Sequence, residues 1–237
     1  MYRLLDGDKI VATAQVLARR VSERFPQSAL AEIAAEFVLM AQSSCGVAEW
    51  LAAPHRAVRI GVRSGLVALV AAAMTVLWSL DPRIEAFSTL SDLAQGLEAL
   101  VSDVVFTFVA VFFLLSWEAR IKRRRALPVI LELRAMAHII DMHQLTKDPE
   151  RLGGRGPDTS SSPERTLTPF ELTRYLDYSS ELLALISKIA ALLVQGFDDP
   201  VTLASVNEIE QLTSGMSRKI WQKITIVDRL LADAERA

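Results

Sequence analysis

The chain has 237 residues, of which 51% are hydrophobic and 23% are charged, with a mean hydropathy of +0.28 and a formal net charge of −2. The near-neutral charge argues against nucleic acid or another polyanion as the partner. A single cysteine, Cys45, excludes an intramolecular disulfide and a zinc site built on clustered cysteines. Because the first thirty residues are charged and contain no apolar run, we expect no cleavable signal peptide.

Helical periodicity dominates the first region, residues 1–55, which we predict to be a cytosolic helical segment. Apolar side chains recur at helical spacing from Ile10 to Phe25, with basic side chains away from the centre of their stripe. Pro26 is expected to end this helix and Ser28 to cap a second one. The amphipathic helix fits either a membrane surface or the face of a neighbouring helix.

Two apolar segments, at about 58–80 and 98–118, predict a transmembrane hairpin within residues 56–125. A helix needs about 20 apolar residues to cross a bilayer, and arginines near the end of a span can reach back to the surface. Basic residues flank the cytosolic ends of both segments, whereas the connection between them is acidic. The positive-inside rule therefore places both termini in the cytoplasm, on the inner side of an inner (plasma) membrane.

A run of basic residues follows the second segment. It comprises Arg120, Lys122, Arg123, Arg124 and Arg125. Elsewhere such a run would indicate nucleic-acid binding, but directly after a span it marks the cytosolic side. These residues are also candidates for holding anionic lipid head groups. The lipid bilayer is thus a predicted partner, and nucleic acid is not.

Small residues form a stripe along the first segment, at alternating spacings of four and three. They are Gly61, Gly65, Ala68, Ala72, Thr75 and Ser79. Helices in lipid have little hydrophobic driving force between them, so close backbone approach along such a stripe favours association. The stripe predicts helix packing, either against the second segment of the same chain or against another copy.

Two carboxylates, Glu98 and Asp103, lie at the start of the second segment. If several hairpins surround an axis, these carboxylates would form rings at the outer mouth of a pore and attract cations. Acidic outer loops also accompany the positive-inside topology in proteins that conduct nothing.

The chain beyond the membrane should be helical with one interruption. We expect a helix over residues 126–148, because Pro149 disfavours its continuation. Residues 149–169 are rich in proline, glycine and serine and predict a flexible linker. Residues 170–237 carry apolar residues at helical spacing on both sides of a short turn and predict an antiparallel helical hairpin.

Local signals mark the ends of the helices in this hairpin. Thr168 and Glu171 predict a capping box at the start of the first helix, and Asp199 is placed to cap the second. The nearly uncharged run at 182–197 is short for a membrane span and contains Lys188. We expect this run to be buried in a helical bundle; a third membrane segment is the alternative.

Three polar side chains, Arg134, His138 and Asp141, share one side of the 126–148 helix. Carboxylates and histidines on facing helices can build metal sites in bundles, but the Glu-x-x-His and His-Glu-x-x-His patterns do not occur here. We interpret the three residues as a polar network that fixes helix register. No catalytic residue, metal site or cofactor is predicted.

These features predict an all-α protein: an integral membrane two-helix hairpin with cytosolic amphipathic helices and a C-terminal antiparallel helical hairpin. The expected function is that of a bacterial-type membrane-anchored scaffold or sensor without catalytic activity, which forms a homo-oligomer or binds another membrane protein. The alternative is a homo-oligomeric cation-conducting channel with an acidic outer mouth.

Overall fold

The computed structural model describes residues 4–79, 90–149, 160 and 167–236. Within these residues every regular element is an α-helix. The helices are α1 (Gly7–Arg24), α2 (Ala29–Ala52), α3 (Arg56–Ser79), α4 (Leu90–Leu115), α5 (Trp117–Leu145), α6 (Pro169–Val194) and α7 (Pro200–Arg236). The prediction of an all-α protein is confirmed for this part of the chain.

The helices divide into two compact units. Unit 1 combines Met1–Ala53 with Arg123–Ala237, and unit 2 is Pro54–Lys122. Unit 1 contains α1, α2, α6, α7 and most of α5, whereas unit 2 contains α3, α4 and the first turn and a half of α5. The chain therefore leaves unit 1 after α2 and returns to it within α5.

Short polar caps set the ends of the first two helices. The Asp6 side chain accepts a hydrogen bond from the backbone N–H of Lys9 at 3.2 Å, and Ser28 accepts one from Ala31 at 3.2 Å. These bonds satisfy N–H groups that have no partner inside a helix. Between the helices, Gln27 adopts a φ of 63°, which turns the chain sharply. The predicted helix end near Pro26 and the predicted cap at Ser28 are both confirmed.

The core of unit 1 is built around α6, which packs against α1, α2 and α7. Its apolar run at 182–197 is buried, and the largest fully buried side chains include Leu182, Leu183, Ile186, Ile189 and Leu193. The predicted capping box at Thr168 and Glu171 is formed. A short turn connects α6 to α7, and because the two helices pack together over many residues they run antiparallel.

α5 runs beside α7 in the same direction, as three polar contacts show. Arg123 is bonded to Asp199 before the start of α7, Arg134 lies 3.2 Å from Glu208, and Lys223 donates to the backbone oxygen of Gln144 at 2.8 Å. Each contact lies further along both helices than the one before it. The contacts therefore connect α5, from Arg123 to Gln144, with the stretch of chain from Asp199 to Lys223.

Two helices extend beyond the segments predicted from the sequence. α4 begins at Leu90, before the apolar segment predicted at about 98–118, and α5 begins at Trp117, before the helix predicted over 126–148. Helical hydrogen bonds continue through Ser116, whose N–H donates to Phe112 O at 3.0 Å. The chain therefore stays helical beyond the apolar segment, and Pro128 lies inside α5 at the cost of one backbone bond. The predicted linker at 149–169 falls mostly outside the described residues.

Candidate functional site

The surface of unit 2 exposes the kind of side chain that unit 1 buries. Two stretches of the described chain, Ala29–Thr75 and Ala94–Leu115, contain apolar windows long enough to cross a membrane, and neither window is buried. Because α2 belongs to the core of unit 1, α3 supplies the uncovered part of the first stretch. On α4, Phe106 and Phe108 are each 71% exposed. Exposed apolar surface of this extent suggests association with a membrane.

The stripe of small residues on α3 is mostly uncovered. Gly65 faces α4, where an added Cβ would lie 3.3 Å from Leu114 Cδ2. Gly61, Ala68, Ala72 and Thr75 are exposed, and the side chain of Ser79 lies outside the described residues. Gly65 is therefore closely packed within unit 2, whereas the four exposed positions present surface to another helix.

A single carboxylate joins α3 to the start of α5. Glu118 Oε2 accepts a hydrogen bond from Arg59 Nε at 3.0 Å, and Glu118 Oε1 lies 3.5 Å from Lys122 Nζ. Lys122 is 7% exposed, so its ammonium group is largely withdrawn from solvent. This bridge ties the two helices together at the end of unit 2 where both basic flanks lie.

The structure gives most residues of the basic run an internal partner. Arg120 donates from Nη2 to Ser116 Oγ at 3.0 Å, and its guanidinium lies 4.5 Å from the Phe113 ring centroid. Arg125 lies 4.5 Å from the Trp50 ring centroid, an attractive cation–π distance. Arg124 is exposed and makes no ion pair within the described residues. Lipid head-group binding by this run stays a prediction.

Arg123 and Asp199 form the most enclosed ion pair found in unit 1. Asp199 is 2% exposed; it accepts hydrogen bonds from Arg123 on both oxygens and from the N–H and hydroxyl of Thr202, each of the latter two at 2.9 Å. Burial alone would raise the pKa of Asp199, but the hydrogen bonds from Arg123 and Thr202 outweigh it and hold that pKa below its ordinary value. The pair is therefore charged at neutral pH.

The cap at Asp199 was predicted, whereas its bond to Arg123 was not. Arg123 belongs to the basic run, and 76 positions separate it from Asp199. The positive-inside rule alone explains why the run is basic. The sequence therefore provides no reason to expect a carboxylate partner for Arg123. Only the packing of α5 beside α7 brings this guanidinium to the cap.

The predicted polar network is only partly assembled. Arg134 pairs with Glu208 on an open surface, where such pairs contribute little. Asp141 accepts from Gln144 Nε2 at 2.9 Å, and His138 is exposed. The residue that lies at the junction of these helices is Gln144, which is 1% exposed and receives Lys223 on its backbone oxygen.

A second uncovered stripe, not anticipated from the sequence, lies on α5. Its members are Leu131, Ala135, His138, Met142 and Leu145, all exposed, at spacings of four and three. Four of the five, all but His138, are apolar, and apolar residues at this spacing are typical of helices that pair with other helices. The stripe was not predicted because the sequence pattern of an amphipathic helix indicates one apolar face. In α5 the core buries a different face from the stripe, through Ile130, Leu133 and Ala137.

Glu98 and Asp103, the predicted pore-mouth residues, are exposed on α4 and form no ion pair within the described residues. The acidic connection between α3 and α4, residues 80–89, lies outside those residues. The position of the carboxylates relative to any symmetry axis is therefore not defined by the single chain.

Reactive and metal-binding groups are sparse in the described part of the chain. No three His, Cys, Asp or Glu side chains there are grouped to hold a metal ion. Cys45 lines a cavity of about 380 Å³ between α1, α2 and the end of α6. Burial raises the pKa of the Cys45 thiol, and nearby Asp8 and Glu49 raise it further. This thiol is therefore protonated at neutral pH and a poor nucleophile.

No protein-family model, no curated protein and no solved structure shows a significant match to this chain.

Proposed function

We propose that the protein is a two-span membrane protein that acts as an oligomeric helical scaffold, or as a sensor of its binding partner. The observation that carries this proposal is the contrast between the two units. Unit 1 encloses its own core, whereas α3 and α4 of unit 2 leave most of their apolar side chains uncovered. In water such an apolar surface would promote aggregation, whereas in a bilayer it is the surface expected to face the lipid.

The charges support an orientation with both termini in the cytoplasm. The basic residues of unit 2 lie at one end, from Arg56 to Arg63 on α3 and from Arg120 to Lys122 on α5. Glu98 lies in the first half of α4 and Asp103 near its middle, and the connection that precedes α4 is acidic in sequence. The excess of lysine and arginine on the cytosolic side is the pattern that sets orientation in membranes.

The uncovered stripes support assembly. The small residues on α3 permit close approach of another helix within the membrane, and the α5 stripe offers a second surface on unit 1. We propose that another copy of the chain occupies the α3 stripe. In this function the helices bind and position partners, and no chemistry is assigned to their side chains.

The oligomeric state tests this proposal. Replacing Ala68 and Ala72 by Leu places bulky groups in the exposed part of the stripe. We expect the purified double variant in mild detergent to have a smaller mass by light scattering than the parent, because the backbones can no longer approach closely. The matched control is Val67→Leu with Val70→Leu, which also introduces two leucines but places them on another exposed face of α3. If both double variants lower the mass equally, or if neither lowers it, the α3 stripe is not the surface that joins the copies.

A flux measurement separates the scaffold from a channel. The scaffold predicts that liposomes containing the full chain pass no cations. A cation flux abolished by Asp103→Asn would contradict the scaffold and establish the homo-oligomeric channel with an acidic mouth. We favour the scaffold because the uncovered stripes on α3 and α5 are surfaces for pairing with other helices.

A further inference from the structure

Three arginines lie on one face of α3 at its first two turns. Arg56, Arg59 and Arg63 are separated by three and then four residues, which places them within one side of a helix. Only Arg59 has an acidic partner, Glu118, and it uses its Nε to bind it. Arg56 and Arg63 are exposed and form no ion pair within the described chain.

The end of unit 2 that carries these arginines has too few carboxylates to neutralise them. Glu118 is the only acidic side chain described in unit 2 apart from those on α4 before residue 104. It is already shared between Arg59 and Lys122. Any further anion for Arg56 and Arg63 must therefore come from outside this part of the protein.

Arg63 stands among apolar neighbours. Ile60 and Val67, about one turn away on either side and on the same face, are 65% and 68% exposed. If α3 enters the bilayer here, the guanidinium lies at the boundary between head groups and hydrocarbon, where an unpaired charge is costly. The anions available at that depth are lipid phosphates, and a guanidinium matches a phosphate through two parallel hydrogen bonds.

We propose that Arg56, Arg59 and Arg63 form a binding site for the phosphate head group of an anionic glycerophospholipid. This proposal rests on the membrane insertion proposed above. Arg63 binds the phosphate from the hydrocarbon side and Arg56 from the water side. Glu118 fixes Arg59 between them and leaves the terminal nitrogens of Arg59 free to donate. The site differs from the basic run after α4, most of which is engaged within the protein.

Lipid selectivity in defined bilayers tests the site. The full chain is reconstituted in nanodiscs of phosphatidylcholine with a minor fraction of phosphatidylglycerol, and the lipids retained by the extracted protein are counted by native mass spectrometry. We expect Arg63→Gln to lower the preference for phosphatidylglycerol by about five-fold, the effect of one basic residue near an anionic surface. Arg63→Lys should retain part of the preference, because it keeps the charge but loses the paired hydrogen bonds.

A matched control and an insertion assay make the outcomes distinct. Arg218→Gln removes an exposed arginine from α7 in unit 1 and should leave the preference unchanged. Insertion is measured for the same variants in liposomes by resistance to alkaline extraction. A parent chain that is extracted overturns the membrane function together with this site. An inserted chain whose lipid preference survives Arg63→Gln overturns the site alone. If the Arg63→Gln variant does not insert, the Arg56→Gln variant is measured instead, and an unchanged preference for phosphatidylglycerol in that variant overturns the site.

Discussion

At the residue scale, Asp199 joins two kinds of contact in one side chain. It caps α7 through Thr202 and holds Arg123 of α5, and almost none of it is exposed. An unpaired carboxylate in that position would be costly, so the guanidinium is part of what allows the cap to be buried. One residue thus fixes where α7 begins and which end of α5 lies beside it.

Replacing Asp199 should separate these two contributions. We expect Asp199→Ala to lower the free energy of unfolding by about 2–3 kcal/mol, since it removes a helix cap and a charged hydrogen bond. Asp199→Asn should lose less, because asparagine is also a good cap. Denaturant unfolding followed by circular dichroism in mild detergent measures both, and equal losses would show that the cap contributes nothing.

The ion pair also predicts a dependence on pH. The pKa of Asp199 is lower in the folded protein than its ordinary value near 4, so the folded state holds the proton less tightly than the unfolded state. The carboxylate therefore stabilises the fold above about pH 4, and this contribution is lost as the pH falls through the lower folded-state pKa. The difference in the free energy of unfolding between the parent and Asp199→Asn should become smaller as the pH is lowered below about 4. A difference that does not change with pH would contradict the ion pair.

At the element scale, the sequence predicted what adjacent residues determine. The stop at Pro26, the cap at Ser28 and the capping box at Thr168 all depend on residues within four positions, and all three are formed. Contacts between distant elements could not be predicted in this way. The exposure of the α5 stripe and the partner of Asp199 depend on which helices pack together, and periodicity within one helix does not determine that.

A contact between α2 and the α6–α7 turn shows how closely elements approach. A Cβ added to Gly196 would lie 2.4 Å from Ala52 Cβ and 2.9 Å from Ala52 Cα, well inside van der Waals contact. Glycine is therefore needed at this position for lack of space. The end of α2 and the turn after α6 are packed backbone to backbone.

Gly196→Ala should accordingly destabilise the protein by about 1–3 kcal/mol, the usual cost of adding bulk to a packed site. The control is Gly46→Ala on α2, where an added Cβ meets nothing within 4 Å. That change should stabilise the helix by about 0.5–1 kcal/mol. Thermal unfolding of both variants measures the contrast, and Ala52→Gly should rescue Gly196→Ala. Equal shifts for the two alanine variants would refute the close contact.

At the scale of the whole molecule, unit 1 is formed from two separate parts of the chain. The chain leaves unit 1 after Ala52, which contacts Gly196, and returns to it at Arg123, which contacts Asp199. Both points therefore lie near the α6–α7 turn. Both cut points therefore lie at one end of unit 1. In the chain, unit 2 is inserted between Ala53 and Arg123, and the core of unit 1 draws its residues from both parts of the chain.

Removing unit 2 should leave a folded protein. We expect Ala53 joined to Arg123 by a short glycine–serine linker to give a water-soluble helical protein that unfolds in one cooperative transition. Circular dichroism and size-exclusion chromatography without detergent provide the measurement, with the full chain as the comparison. An aggregated or non-cooperative product would show that unit 1 depends on unit 2.

The discontinuity of unit 1 also has a consequence during synthesis. α1 and α2 leave the ribosome long before α6, the helix against which both of them pack in the finished core. At about 5–20 residues per second, that delay is on the order of ten seconds. During it the nascent chain holds an uncovered apolar helical pair while the segments for the bilayer are still being made. Protection of that pair by a chaperone, or its temporary adsorption to the membrane, is therefore a requirement of this chain order.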